Sequence, residues 1–243
     1  MDKRIKLAHN ILELPRLIFI FLAKPGAFFT LLRVRRSRLS YLGIVALADL
    51  IEAVISIERQ KLPGVFMEAG CALGGSALVI TSAKSKDKPF FVYDVFGLIP
   101  SPGQEDGQDS IHRYEQIVAG ESSGIAGNEY YGYVPDLYEV VQKNFYQFKL
   151  PPSEHNVELV KGLFEDTLVL RQPVAFAHLD CDWYASVKTC LERIVPCLVP
   201  GGRLVIDDYD DWSGCKKAVD EYFYDKMTEY EFKYRKKLHI RKK

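Results

Sequence analysis

The sequence predicts an α/β fold, a doubly wound sheet with helices on both faces. Two observations lead to this prediction. A short apolar strand at 65–68 runs through a glycine turn into a helical segment, as in the strand–helix units of doubly wound folds. Further along, the apolar runs 175–179 and 204–206 each end in aspartate, with a helical pattern between them. Because ligands bind outside the carboxyl ends of the strands in such sheets, these aspartates are candidate functional residues.

The composition is that of an ordinary folded chain. Its 243 residues suffice for one large domain, and 48% are hydrophobic and 26% charged. A formal net charge of +0 argues against a general nucleic-acid-binding protein. The five cysteines form no C-x-x-C pair, and their odd number favours a reduced, cytoplasmic setting.

Residues 1–42 are expected to form an apolar and basic N-terminal helical arm ahead of a main domain at 43–243. Charged residues and prolines interrupt the apolar segment 11–32, which leaves no run of the ~20 apolar residues that a transmembrane helix needs. No small-residue cleavage site follows, so a signal peptide is not expected. The basic cluster 33–38 then suggests peripheral contact with an anionic membrane or an arm exchanged in a dimer. The alternative is a helix pair packed on its own domain with its arginines in water.

The turn after the first strand has the pattern E-x-G-x-x-x-G-G rather than the dinucleotide pattern G-x-G-x-x-G. It suits S-adenosylmethionine, whose carboxylate can bind a helix N-terminus while its ammonium binds the glutamate. Asp94 ends the second strand, where an acid can bind ribose hydroxyls. The alternative is a tight strand–helix turn without a ligand. The other expected cofactor-binding residues are Glu68, Gly70, Gly74, Gly75 and Ser76.

Residues 97–136 form a long insertion that is rich in glycine and proline and carries Tyr130, Tyr131 and Tyr133. Long irregular segments in compact domains are usually functional or disordered. We expect a lid that closes over the substrate that accepts the transferred group, and excludes water from it. The alternative is a packed surface loop.

Asp180, Asp207 and Asp208 are expected to converge on one hard divalent cation. Three carboxylates at one sheet edge favour Mg²⁺, which would acidify an acceptor hydroxyl. Asp180 is also the candidate base that takes the proton of that hydroxyl. The alternative for each acid is capping of the helix that follows it, which is the role we prefer for Asp182. For His178 we expect a supporting role rather than ligation.

Several motifs of this chain occur together in one known family. With them, residues 60–224 resemble the macrocin/mycinamicin (TylF-like) family of sugar O-methyltransferases. The motifs are P-G-x-x-x-E-x-G-x-x-x-G-G-S at 63–76, Y-D-V-F-G-L-I-P at 93–100, G-L-F-E-D-T-L at 162–168, H-L-D-C-D-W-Y at 178–184, P-G-G through D-D-Y at 200–209, and G-C-K-K-A-V-D-E-Y at 214–222.

The resemblance implies the Rossmann-like fold of class I S-adenosylmethionine-dependent methyltransferases, a seven-stranded, mostly parallel sheet with its last strand antiparallel. It also implies Mg²⁺ dependence, a sugar or glycoside hydroxyl as acceptor, and a homo-oligomer, commonly a dimer. In the family pattern, Asp180, Asp207 and Asp208 match the metal-binding acids, and Asp180 also matches the proposed base. The positions that match cofactor contacts are Glu68, Gly70 and Asp94.

One departure concerns the acceptor. Catechol-type methyltransferases carry a lysine base three positions after the first metal-binding acid, and that position is Trp183 here. This argues against a catechol acceptor that is activated by such a lysine. Two other functions stay open at this point: a cation-dependent O-methyltransferase of a phenolic or lipid-linked acceptor, and a non-catalytic nucleotide-binding module that regulates a partner.

Overall fold

A computed structural model describes residues 14–243 and has a seven-stranded sheet at its centre, with the order β3-β2-β1-β4-β5-β7-β6. Strands β1 to β5 are parallel, and β7 runs antiparallel to β5 and to β6. The predicted sheet is therefore confirmed, with its last strand antiparallel. The strands are β1 (Val65–Ala69), β2 (Phe90–Asp94), β3 (Val157–Lys161), β4 (Val174–Leu179), β5 (Leu198–Ile206), β6 (Tyr230–Tyr234) and β7 (Leu238–Lys242).

Helices cover both faces of this sheet, as the sequence predicts. A right-handed crossover between neighbouring parallel strands places a helix on one face or the other, and this accounts for the two layers. Within the described residues the helices are α1 (14–23), α2 (Pro25–Arg36), α3 (Ile44–Arg59), α4 (Gly75–Ala83), α5 (Gln108–Val118), α6 (Leu137–Gln147), α7 (Phe164–Thr167), α8 (Tyr184–Ile194) and α9 (Ser213–Phe223).

The central strands are buried on both faces, which explains their continuous apolar sequences. Every residue of β1 and of β4 is buried. Alternate side chains enter different cores: Phe66 packs in a cluster with α1 to α4 and α6, and Met67 packs in a cluster with α8 and α9. The two layers hold the carboxyl ends of the strands rigidly, and the candidate aspartates follow those ends.

The described part of the N-terminal arm packs on the main domain. Ile20, Leu31 and Val34 are fully buried in the cluster that also holds α3 and α4. Arg16 pairs with the buried Asp49 of α3 at 2.8 Å. None of the described helices combines the length and the apolar character needed to cross a bilayer. Residues 1–13 of the expected arm lie outside the described residues.

The insertion 97–136 is more regular than its glycine and proline content suggests. It contains α5 and two short 3₁₀ turns, Ile125–Gly127 and Tyr131–Tyr133. It is also anchored, because Asp109 accepts hydrogen bonds from the N–H (2.8 Å) and the hydroxyl (2.6 Å) of Ser213 at the start of α9. The expectation of an irregular segment is therefore wrong over 108–118, where polar residues form a helix that docks on α9.

A substitution at Gly75 tests how closely the arm approaches the glycine turn. A Cβ atom there would lie 2.3 Å from the carbonyl oxygen of Leu39, which is backbone and cannot rotate away. We expect Gly75→Ala to lower the free energy of unfolding by roughly 1–3 kcal/mol, as overpacking does in other cores. Urea unfolding measures this effect. Gly26→Ala is the matched control, because nothing lies within 4 Å of its Cβ position; an equal loss in both variants would contradict the close approach.

Candidate active site

A cavity of about 850 Å³ opens at the carboxyl ends of the central parallel strands. Its lining includes Gly70 after β1, Asp94 at the end of β2, Asp180 after β4, and Asp207 with Asp208 after β5. This volume is in the range of cavities that hold cofactors and small substrates. The glycine turn and the acids that the sequence singles out therefore face one common space.

Gly70 connects the glycine turn to the acid-bearing end of β4. Its φ of +87° lies in the left-handed region, and a Cβ atom would stand 1.8 Å from the carbonyl oxygen of Asp180. The N–H of Asp180 in turn donates to the carbonyl of Ala69 at 2.9 Å. The backbone at Gly70 thus needs the absence of a side chain, and it fixes the distance between the turn and Asp180.

Asp94 lines the cavity and also holds the turn together. Its Oδ2 accepts the N–H groups of Cys71 (2.7 Å) and Ala72 (3.1 Å), and its Oδ1 accepts the N–H of Phe96 (2.7 Å). Burial raises the pKa of Asp94, and these three backbone donors oppose that rise. The carboxylate therefore orients the turn after β1 while it faces the cavity.

The other residues of the glycine motif lie behind the cavity wall. Glu68 is fully buried, and its Oε1 is 2.8 Å from Nδ1 of His178. Gly74, Gly75 and Ser76 are absent from the cavity lining. Gly74 has a φ of +82°, which the turn into α4 requires. The structure thus gives these residues a packing or supporting position, and their direct contact with a cofactor stays a prediction.

Asp207 is the centre of the acid cluster. One ligand atom each from His178, Asp180 and Asp207 lie within 4.8 Å of one another, and the same holds for Asp207, Asp208 and Asp211. Asp207 Oδ1 and His178 Nε2 face each other at 3.7 Å, which is too long for a hydrogen bond, and neither atom has another partner in the described chain. Carboxylate oxygens from two strand ends therefore converge around an unpaired buried oxygen.

The cluster carries more negative charge than its neighbours neutralise. Burial, together with the nearby Asp207, raises the pKa of Asp180 well above its usual value. Burial and the charges of Asp182 and Asp180 do the same to the pKa of Asp208. A hard divalent cation would relieve both the desolvation and the repulsion of these carboxylates. Asp180 and Asp208 each place a carboxylate oxygen near Asp207, in two separate groups that share Asp207, and the unpaired Oδ1 of Asp207 fits such a cation.

Capping of the following helices does not account for the acids. The first N–H of α8, that of Tyr184, donates to Asp106 Oδ1 at 2.8 Å. In α9, the first N–H, that of Ser213, donates to Asp109 in the same way. The capping role preferred for Asp182 is therefore wrong. Asp182 has a φ of +56° and lines the cavity instead. Burial raises the pKa of Asp182 to about 6.

Lys237 is a site residue that sequence reasoning missed. Its Nζ lies 2.9 Å from Asp207 Oδ2 and 2.7 Å from Asp211 Oδ2. Burial would lower the pKa of Lys237, but the two carboxylates outweigh it and raise the pKa. The pairing of Ile206 with Leu238 puts this lysine opposite Asp207. A register for the C-terminal hairpin is the signal that would have revealed it.

Aromatic side chains form much of the remaining cavity wall. Trp183 donates from Nε1 to the carbonyl of Pro100 at 2.8 Å and stacks edge-on against Trp212, with ring centroids 5.4 Å apart. Tyr130 and Tyr131 of the insertion also line the cavity, with centroids 4.4 Å apart. The insertion therefore covers the cavity with rings that can pack on a ligand and displace water.

The described geometry agrees with one protein family. The model of the macrocin O-methyltransferase (TylF) family matches residues 36–232, which includes the glycine turn and all three acids. The chain belongs to this family. The resemblance seen in the sequence motifs is thereby confirmed, and TylF proteins are S-adenosylmethionine-dependent O-methyltransferases.

Curated relatives within the TylF family are moderately similar. Demethyldecarbamoylnovobiocin O-methyltransferase from Streptomyces niveus is 27% identical over 191 residues, 74% of this chain and 66% of the relative. Mycinamicin III 3''-O-methyltransferase from Micromonospora griseorubida is 27% identical, over 74% of this chain and 68% of its own. An 8-demethyl-8-(2,3-dimethoxy-alpha-L-rhamnosyl)-tetracenomycin-C 4'-O-methyltransferase from Streptomyces olivaceus is 28% identical, over 74% and 66%. The chain spans about two thirds of the length of these relatives.

Solved structures support the same fold. The O-methyltransferase NovP superposes with a TM-score of 0.69 at 24% identity, covering 84% of this chain and 82% of NovP. The calicheamicin methyltransferase CalS11 gives a TM-score of 0.54 at 17% identity, covering 87% and 91%. At these identities the likeness establishes the Rossmann-like methyltransferase architecture and nothing finer.

His178 gives this protein a pH dependence of stability. Burial alone would lower its pKa, but Asp207 and Glu68 outweigh burial and raise it to about 10, from 6.5. A raised folded-state pKa gives stability that is complete below pH 6.5 and is lost as the pH rises through about 10. In EDTA, we expect wild-type protein to lose on the order of 3–5 kcal/mol over this range in excess of His178→Gln. Urea unfolding at several pH values measures the difference; parallel curves would show that His178 is neutral in the folded state.

Proposed function

We propose that this chain transfers a methyl group from S-adenosylmethionine to a hydroxyl of a sugar or glycoside, with the help of Mg²⁺. The observation that carries the proposal is that the glycine turn and the three acids face the same cavity. The name of the Streptomyces olivaceus relative supports a sugar acceptor, because it describes methylation of a rhamnosyl group.

We assign the cofactor to the side of the cavity formed by Gly70, Asp94 and the segment after β3. Gly70 leaves backbone accessible, and Asp94 keeps the turn in place with its three backbone bonds. Leu163 and Glu165 line the same cavity after β3. In doubly wound sheets this edge takes the ribose and the base of a nucleotide ligand.

Asp180, Asp207 and Asp208 are the residues that would hold Mg²⁺. When it is bound, the cation lowers the pKa of a coordinated hydroxyl, so that the oxygen becomes a better nucleophile. The carboxylate of Asp180, which lines the same cavity, would accept the hydroxyl proton. The proton then resides on a carboxylate oxygen of Asp180 while the acceptor oxygen attacks the methyl carbon.

The protein contributes to this reaction mainly by positioning the reacting groups and by excluding water. In-line methyl transfer requires the acceptor oxygen, the methyl carbon and the leaving sulfur in one line. Asp180 is held by the close approach at Gly70, and Trp183 by its bond to Pro100. Tyr130 and Tyr131 of the insertion exclude water from the space above the acids, which is the role we propose for the lid.

Removal of the metal-binding acids tests the catalytic proposal. We expect the double variant Asp207→Asn/Asp208→Asn to lose at least about 100-fold in methylation rate, because an oriented metal ion supplies several kcal/mol of charge stabilisation. Methyl transfer from radiolabelled S-adenosylmethionine to a panel of glycosides measures the rate. EDTA should abolish wild-type activity, and added Mg²⁺ should restore it.

The matched control is Asp210→Asn, an exposed aspartate outside the cavity lining. It should keep wild-type activity. Calorimetry with S-adenosylmethionine separates two failures: wild-type protein that does not bind the cofactor overturns the methyltransferase proposal. Full activity of the double variant in EDTA, with the cofactor bound, overturns only the role of the metal.

Lys237 allows a test of the cation site that does not depend on activity. Its ammonium competes for Asp207, so Lys237→Met should tighten the binding of Mn²⁺, a spectroscopic substitute for Mg²⁺, by roughly tenfold. Electron paramagnetic resonance titration measures free Mn²⁺. Lys236→Met is the control, since this neighbour lines the cavity without a recorded ion pair to the acids in the described chain. Weaker binding by Lys237→Met would mean that the lysine holds Asp207 in its ligating position.

A further inference from the structure

The N-terminal arm, residues 1–42, carries an excess of positive charge that the rest of the molecule lacks. Residues 1–42 contain nine Lys or Arg and two Asp or Glu, a formal charge of +7 in a chain whose net charge is +0. Between residues 14 and 42 there is no acidic residue at all. The positive charge is thus concentrated on one end of the chain, where it creates a local field that attracts anions.

The same helices expose an unusual number of large apolar side chains. Buried and exposed positions alternate with helical periodicity, so that one side of each helix packs on the domain and the other faces outward. Phe21 of α1 and Phe29 of α2 join the two outward sides, with ring centroids 6.0 Å apart. We call this surface the outer face of the arm; it consists of Leu14 (53% exposed), Ile18 (49%), Phe21 (43%), Leu22 (74%), Phe29 (58%) and Leu32 (41%).

Arginines lie directly beside the outer face. Arg33 and Arg36 follow Phe29 and Leu32 by four residues each, and all four are exposed on α2. Arg36 has no recorded partner within the described residues, and Arg38 reaches only the side-chain oxygen of Asn128, at 3.4 Å. The guanidinium groups of Arg36 and Arg38 are therefore available to an external anion, whereas Arg33 donates to the carbonyl of Gln147 at 3.0 Å.

We propose that the outer face of the arm binds the surface of an anionic phospholipid membrane. An interfacial helix needs apolar side chains that enter the acyl boundary and basic side chains that meet the headgroups, and α1 with α2 presents both. Each basic residue near an anionic surface strengthens binding by about fivefold. The helices lie on the lipid and do not span it, in agreement with their length and sequence.

A second copy of the chain is a poorer occupant of this face. A twofold-symmetric interface brings a patch against its own copy. Two arms of the same positive charge would then meet without acidic partners between residues 14 and 42 to neutralise them. An anionic surface offers the complementary charge that the face needs.

The position of the arm also connects lipid binding to the cavity. Arg35 donates from Nη1 to the carbonyls of Ser40 (2.8 Å) and Leu42 (2.7 Å), and so fixes the turn after α2. Tyr41 and Leu42 of this turn line the cavity. The arm that would dock on the lipid through its outer face therefore also supplies part of the cavity wall.

Sedimentation of the full chain with vesicles tests the proposal. We expect it to pellet with vesicles that mix phosphatidylcholine and phosphatidylglycerol, weakly with phosphatidylcholine alone, and less as salt is raised. Leu22→Asp/Phe29→Asp should lower the vesicle partition coefficient at least tenfold, and Arg36→Glu about tenfold or more. All these positions are exposed, so the midpoint of thermal unfolding should shift by no more than about 5 °C.

Matched controls lie elsewhere on the surface. Tyr224→Asp replaces an apolar residue that is 86% exposed, and Arg171→Glu reverses an exposed charge. Both controls should pellet like wild-type protein. Absence of wild-type pelleting with anionic vesicles, or equal pelleting by arm and control variants, overturns the proposal. Light scattering in the absence of lipid gives the oligomeric state: if only the arm variants dissociate and their pelleting is unchanged, the face joins two copies of the chain instead.

Discussion

The repulsion among buried carboxylates at the ends of β4 and β5 is the interaction on which the site depends. Carboxylates that lose their water need compensating charge or protons, and the raised pKa values of Asp180 and Asp208 record that need. The described residues supply partial compensation, mainly at Asp207, whose two carboxylate oxygens face His178 and Lys237. Burial would raise the pKa of Asp207, yet these two cations hold it below its usual value. The acids of the cluster are therefore only partly neutralised by the described residues.

The supporting contacts of this cluster also reach the strand that precedes the glycine turn. His178 lies 3.7 Å from Asp207, which follows β5, and 2.8 Å from Glu68 of β1. The buried Oε2 of Glu68 has no hydrogen-bond partner in the described chain. Glu68 therefore acts on the site through His178, and the sheet register enforces this pairing, since Glu68 lies opposite His178. Because Gly70 also contacts Asp180 closely, the turn and the acids share two rigid links. A shift of one would displace the other.

The features that the sequence predicts well are those set by neighbouring residues and by strand direction. Asp94, Asp180 and Asp207 each end a recognisable apolar strand, and parallel strands place their carboxyl ends together. Lys237 was not predicted as a site residue, because its position depends on an antiparallel register between distant segments. Asp182 was misassigned for a similar reason: the first N–H of α8, that of Tyr184, is bonded to Asp106, which comes from the insertion. Local pattern gives the ends of strands, but partners across the fold decide what each acid does.

Part of the cavity lining comes from segments that are distant from one another in the sequence. Tyr41 of the arm, Tyr130 of the insertion and Lys237 of the hairpin all line the cavity. Two of these elements, the arm and the hairpin, are connected through α3. Arg235 of the hairpin pairs with Asp49 and Glu52 of α3, and Arg16 of α1 pairs with the same two residues. Ion pairs thus connect the arm to the hairpin that carries Lys237, the residue beside Asp207. The arm, α3 and the hairpin are therefore held together by ion pairs that lie outside the acid cluster.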